Sequence, residues 1–499
     1  MPLTLSPGII LLIISIYFLI LIGVSHWTSK STDNASFFLA NRQSPWYLVA
    51  FGMIGASLSG ATFISIPGVV GGEGLNKCFS YMQMVFGYLA GYAVIALVLL
   101  PLYYRLKITS IYEFLDQRFG WSAYKTGAGF FLLSRIIGAS FRLFLMAIVL
   151  QTFVTGPLNI PFWATVLITI ALIWTYTHRA GINTIVWTDS LQTFAMLTAV
   201  ILTIFGIGEA MEMSFGELIQ TVRSSEYTQV FFFEGGWGDP NNFLKQFLAG
   251  MFITIVMTGL DQDMMQKNLT CRSLKEAQLN MFSFSIVLIF ANILFLTLGA
   301  LLYIYSSRVG LPIPESTDQL YPSIALTNLS PWVGVTFIVG LIAAAYSSAD
   351  SALTSLTTSF CVDFLGFKAD QSNDLSEKKT RLIVHIGFSV VLFIVINAFY
   401  LVNNKAVING LFTAAGYTYG PLLGLFLFGI LSKSRKLKMD WVIPVCLSAP
   451  IVTFVLSYYS EVLFFGYKFG FELLLLNGFI TALGLLLISY YPKEGYKSF

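Results

Sequence analysis

Ser347, Ser351, Thr354, Ser355 and Thr358 recur at steps of three and four, so a helix would carry them on one face. Ser348 lies beside that stripe, and Asp350 sets a carboxylate in its middle. The surrounding stretch, GLIAAAYSSADSALTSLTTSFCVD from Gly340 to Asp363, has no proline and few charges, and reads as a membrane-crossing helix. Lipid cannot solvate hydroxyls or a carboxylate, so this face must look into protein or water. Thr354 to Ser359 fit close helix packing, which small hydroxylated residues permit. Ser347 and Ser348 beside Asp350 fit another chemistry: small hard cations take hydroxyl, carbonyl and carboxylate oxygens.

The rest of the chain must position that face in a membrane. Of 499 residues, 56% are hydrophobic and 11% charged, against about 25% charged in soluble domains. Thirteen apolar spans are predicted, at 7–26, 46–70, 78–104, 125–153, 160–177, 182–208, 243–265, 277–305, 332–363, 380–401, 407–432, 440–459 and 469–491. The fold class is therefore an all-α polytopic membrane protein. With the N-terminus outside, 20 of the 28 Lys and Arg residues fall in inner loops, Lys267 among them, and 6 in outer loops. That bias predicts N-out, C-in orientation. It also accounts for the basic residues by topology, so no nucleic-acid partner is expected. The outer segment 209–242 is acidic and aromatic, as suits a short amphipathic surface structure.

The segment Ile9–Val24 lacks a basic lead and a small-residue cleavage site, and reads as a retained helix rather than a signal peptide. Cys78, Cys271, Cys361 and Cys446 are scattered, without metal spacing or a disulfide framework. His26, His178 and His385 stand in no motif with a nucleophile, which argues against an enzyme. A sensor built on the same membrane module would need a soluble signalling domain, and the chain ends within about ten residues of the last span. A passive channel fits the chemistry, but broken helices favour alternating access.

Two spans carry breaks. GMIGASLSGATFISIPG, Gly52 to Gly68, is poor material for an uninterrupted helix. MTGLDQDMMQK, Met257 to Lys267, sets Asp261, Gln262 and Asp263 directly after Gly259, so its second half cannot face lipid. Counted from the second span, these are the first and sixth of ten helices, where an inverted repeat places its discontinuous pair. Asp189, one turn from Gln192, must be paired, hydrated or bound to a cation. Arg135 and Arg142 share a face of the fourth span; each could pair with Asp189 or another acid, or snorkel outward.

GASLSGATFISIPG at 55–68, RAGINTIVWTDSLQ at 179–192, DQDMMQKNLTCRSLKEA at 261–277 and AAAYSSADSAL at 343–353 together resemble the sodium:solute symporter family. Its members carry sugars, proline and sialic acid with sodium, and the resemblance runs from about 7 to 490. It implies a leucine-transporter-type 5+5 inverted repeat and sodium as the coupling ion. The expected divisions are 1–45, an extra helix and inner loop; 46–208, the first repeat; 209–242, the outer loop; 243–432, the second repeat; and 433–499, two further helices and a tail.

By position, the resemblance implies a sodium site from the carbonyls of Gly55, Leu58 and Ala344 and the hydroxyls of Ser347 and Ser348. A second ion or a proton would sit at Asp189, Ser347, Asp350 and Ser351, although the family usually has a hydroxyl at the place of Asp350. The expected substrate wall is Ser59, Thr62 and Phe63 facing Asp261, Gln262 and Met265. Gln83, Tyr81 and Tyr88 are weaker candidates. The expected partners are a small polar solute, sodium and the bilayer, with a monomer as the working unit. The expected solute is a neutral sugar or other polyol, the alternative an amino acid or organic acid, carried across a plasma membrane of the bacterial inner-membrane kind.

Overall fold

The computed structural model describes residues 6–28, 34–177, 181–368, 375–402, 407–432, 434–464 and 466–491. Lys30, His178, Arg179, Lys405, Lys433, Lys493 and Lys497, which entered the sequence argument, lie outside them.

Among the described residues eight helices are long and apolar enough to cross a membrane, and two bent pairs add a span each. Three shorter apolar helices, Phe162–Thr177, Gly420–Leu431 and Leu473–Leu487, correspond to the remaining predicted spans. Six elements build the site. They are α1 (Trp46–Val69), α2 (Trp121–Leu150), α3 (Ile182–Met211), α4 (Phe243–Thr254), α5 (Gln262–Leu269) and α6 (Pro331–Ser359).

Both predicted breaks are present. In α1 the chain turns by 58° between Trp46–Gly60 and Thr62–Val69, with Ser59 at φ 42°, ψ 168°. A non-glycine residue held there costs about 1–3 kcal/mol. The surroundings fix it: a Cβ added at Gly60 would lie 3.3 Å from Ala345 Cα, so the bend packs directly against α6. The second break turns by 64° between Phe243–Gly259 and α5. The turn Ile255–Gly259 widens to π-helical bonding, then Asp261 leaves the helix and caps α5 by accepting from Asp263 N at 2.9 Å.

α6 runs through the middle of the bundle, packed on α3, α1 and α2. Every residue from Gly340 to Ser359 is buried, so no part of the hydroxyl stripe faces lipid. Small residues allow this closeness: a Cβ on Gly340 would overlap Ala199 of α3. The lower stripe is packing, as its composition suggests. Thr358 Oγ1 accepts from Gln266 Nε2 at 3.1 Å, and Thr357 Oγ1 meets His385 Nδ1 at 3.0 Å. His385, set aside as a catalytic base, is held between Thr357 and Thr177.

Candidate functional site

The two breaks treat their carbonyls differently. A helix end leaves four carbonyls without helical partners. At the second break tyrosines supply donors: Tyr103 Oη donates to Gly259 O at 2.9 Å and Tyr112 Oη to Leu260 O at 3.0 Å. At the first break, among the described residues, no side chain donates to the carbonyls of Gly55 to Leu58. Ala344 and Ala345 share a helical face with Ser348, and Ala345 meets Gly60 at the bend. The Ser348 hydroxyl is buried there without a hydrogen-bond partner among the described residues. Carbonyls that no side chain engages, beside an orphaned hydroxyl, form a donor set that fits a small hard cation.

The approach of α1 to α3 is equally close. Gly55 N donates to Thr193 Oγ1 at 3.0 Å, and a Cβ on Gly52 would lie 3.0 Å from Asp189 Cβ. Ser347 Oγ donates to Asp189 Oδ1 at 2.8 Å. Gln192, with its amide turned to donate, reaches the same oxygen at 3.3 Å. The other carboxylate oxygen faces Lys267 Nζ at 2.7 Å, both side chains fully buried. Lys267, counted above among inner-loop charges, is thus a core residue. Its neighbours on α5 share that burial: Gln262, Asp263, Gln266 and Asn268 are all buried, so a short helix rich in polar residues is packed inside the protein.

Of the four residues expected at a second ion site, Ser347 is bonded to Asp189, while the oxygens of Asp350 and Ser351 are engaged by other partners. Asp350 Oδ2 accepts from Tyr176 Oη at 2.9 Å and Oδ1 from Ser351 N at 2.6 Å. Ser351 Oγ donates to Asp263, which also pairs with Arg135. Arg135 therefore serves Asp263 rather than Asp189.

A cavity of about 80 Å³ opens beside the first break, room for roughly six water-sized groups at ~10–15 Å³ each. Ser59 and Thr62 line it, with Tyr81, Tyr88, Asn292, Met264, Arg135 and Arg142. The other expected wall residues do not. Phe63 is packed among Phe295, Tyr321 and Phe337, where its ring is worth more as apolar core. Asp261 is occupied by Tyr419 Oη at 2.5 Å, the α5 cap and Arg135 Nη1 at 3.9 Å. Gln262 ties down the 109–111 turn through Ile111 N and Thr109 O. Gln83 binds Asn241 O and Phe232 N of the 209–242 segment. Met265 is fully buried in the core, and Met264 lines the cavity in its place. One helical position separates them, about 100° of rotation, which only the direction of the kink decides.

A model of the sodium:solute symporter family matches residues 37–436. The chain is 25% identical to the sodium/sialic acid symporter NanT of Aliivibrio fischeri, over 91% of this chain and 88% of that one. It is 25% identical to the sodium/glucose cotransporter of Vibrio parahaemolyticus, over 89% and 84%. A solved structure of a substrate-bound, outward-open sodium-coupled sialic acid symporter superposes with a TM-score of 0.79 at 20% identity, covering 96% of this chain and 97% of that one.

Proposed function

Because the chain belongs to the sodium:solute symporter family and couples sodium to solute movement by alternating access, we propose that its solute is a small polyhydroxylated acid, with the carboxylate received by Arg142. The observation that carries this reading is the state of the two cavity arginines. Arg135 is already spent on Asp263 and Asp261. Arg142 makes no ion pair among the described residues, and its Nε lacks a hydrogen-bond partner while buried. A buried unpaired guanidinium is costly and is stabilised by a carboxylate held in bidentate contact. Tyr81, Tyr88, Ser59, Thr62 and Asn292 offer the hydroxyl and amide groups that a polyol chain needs. A neutral sugar would leave Arg142 unpaired, and an amine would meet no free carboxylate, since Asp261 is taken. The relatives that carry sialic acid agree with this choice.

In this reading sodium binds to the carbonyls of Gly55, Leu58 and Ala344 and the hydroxyls of Ser347 and Ser348. It ties α1 to α6 and favours the conformer open to the outside by differential affinity. Solute then closes the outer side, and inner opening separates α1 from α6 and releases the ion. The chain sits in a plasma membrane with the N-terminus outside and the C-terminus inside, and works as a monomer with the two five-helix repeats at 46–208 and 243–432.

The experiment is sodium-gradient uptake into proteoliposomes, comparing sialic acid, a smaller sugar acid and glucose. Uptake of an acid but not of glucose, lost in Arg142→Gln, is expected. Glucose uptake that survives Arg142→Gln would return the assignment to a neutral polyol.

A further inference from the structure

Asp189 is the carboxylate to which a second mobile cation was expected to bind, and it already faces a cation belonging to the chain. Lys267 Nζ stands 2.7 Å from Asp189 Oδ2, with both side chains at most 2% exposed. The contact is one of charge rather than an aligned hydrogen bond, the ammonium has no hydrogen-bond partner among the described residues, and its charge also acts on the Asp350 carboxylate. An ammonium with three donors thus touches one carboxylate, Asp189, and is held by charge rather than by aligned hydrogen bonds. A structural lysine in a protein core would instead be satisfied on several sides.

The oxygens that would complete a sodium shell are turned elsewhere. Asp350 is engaged by Tyr176 and by the amide of Ser351, and Ser351 Oγ by Asp263. Among the described residues only Ser347 and Gln192 hydrogen-bond to Asp189, well short of the roughly six oxygens a hard cation gathers. These residues therefore do not fit a second sodium with α5 docked.

We propose that Lys267 is a tethered cation that fills the place of a second sodium on Asp189, so that the carrier binds a single sodium per cycle. The proposal rests on the reading of Ser347 and Ser348 as the sodium site. In place of an ion drawn from solution, the chain supplies its own positive charge on α5, the second half of a broken helix. Removing the ammonium leaves Asp189 Oδ2 beside Ser347, with space where the lysine side chain was, open to a hydrated sodium.

The test is equilibrium binding of radioactive sodium to purified protein, without solute, counted per mole of chain. Wild type is expected to bind one sodium. Lys267→Gln is expected to bind a second, and Lys267→Gln/Asp189→Asn to bind one again. The neutral pair Lys267→Met/Asp189→Asn, which leaves no buried charge unpaired, covers the case in which the single variant fails to fold; it too should bind one. Two sodiums in wild type, one of them lost in that neutral pair, would overturn the proposal, as would a folded Lys267→Gln that still binds one. Ser348→Ala separates the two readings. If it leaves the wild-type sodium in place, the first site is wrong, while a second sodium gained by Lys267→Gln would still identify the lysine as its substitute.

Discussion

The hydroxyl of Tyr419 donates to Asp261 Oδ2 at 2.5 Å, joining two hinges. Asp261 is the residue at which the second broken helix leaves its axis, and Tyr419 is the joint between helices Val407–Thr418 and Gly420–Leu431. A hydrogen bond to a charged group contributes about 1.5–3 kcal/mol, and both ends are buried. Tyr419→Phe should therefore lower stability by about that much, seen as a reduced melting temperature in detergent. An unchanged melting temperature would mean that Asp261 is satisfied by Arg135 and its own helix cap.

Ser348→Ala should behave in the opposite way. Among the described residues the hydroxyl has no hydrogen-bond partner, so its loss in potassium buffer should barely move the melting temperature. In sodium the wild type should gain about 2.7 kcal/mol at 100 times the dissociation constant, and the variant should lose that gain. Equal sodium shifts in both proteins would remove Ser348 from the site.

Gly55→Ala should destabilise by about 1–3 kcal/mol, because its Cβ would overlap Thr193 Oγ1. Pairing it with Thr193→Ala relieves the overlap, so the double variant should recover part of the loss. A double variant as unstable as the sum of the singles would show that the cost lies in the backbone of α1.

The segment 209–242 offers a pH test outside the apolar spans. Ser214 N and Oγ both donate to Glu217 Oε2 at 2.7 Å, closing a capping box on helix Phe215–Ser224. These bonds hold the Glu217 carboxyl below its ordinary value, the backbone donor foremost. A carboxyl depressed in the folded state lends stability above its unfolded value and loses it as pH falls through the folded one. Hydrogen exchange over residues 215–224 should thus quicken as pH falls below the usual carboxylate range, after correction for intrinsic rates, and Glu217→Gln should flatten that dependence.

The architecture was legible because lipid makes backbone rules strict. Apolar length revealed the spans, and glycine or acidic clusters inside them revealed both breaks. The wall of the cavity was less so. Phe63 and Thr62 are neighbours, and only the rotation at Ser59 decides which one lines the cavity. Lys267 was misplaced for a related reason. Its charge and its position after Gln266 look like the end of a span, while its partner Asp189 lies 78 residues earlier, beyond the reach of any local pattern. Arg142 was noticed in the sequence, but its lack of an ion pair among the described residues is a property of the fold as a whole.

The polar character of Gln262–Leu269 bears on how the chain enters the membrane. Its aspartate and lysine would each cost about 2.5–3.5 kcal/mol at the centre of a lone helix in lipid, so this segment cannot partition into lipid on its own merits. Its counter-charges, however, are made first: Arg135 and Asp189 both precede it in the chain. A nascent α5 leaving the ribosome meets a half-built bundle whose vacant charges match its own. Synthesis order then substitutes for hydrophobicity, and a permuted chain that made α5 before α2 and α3 would lose that advantage.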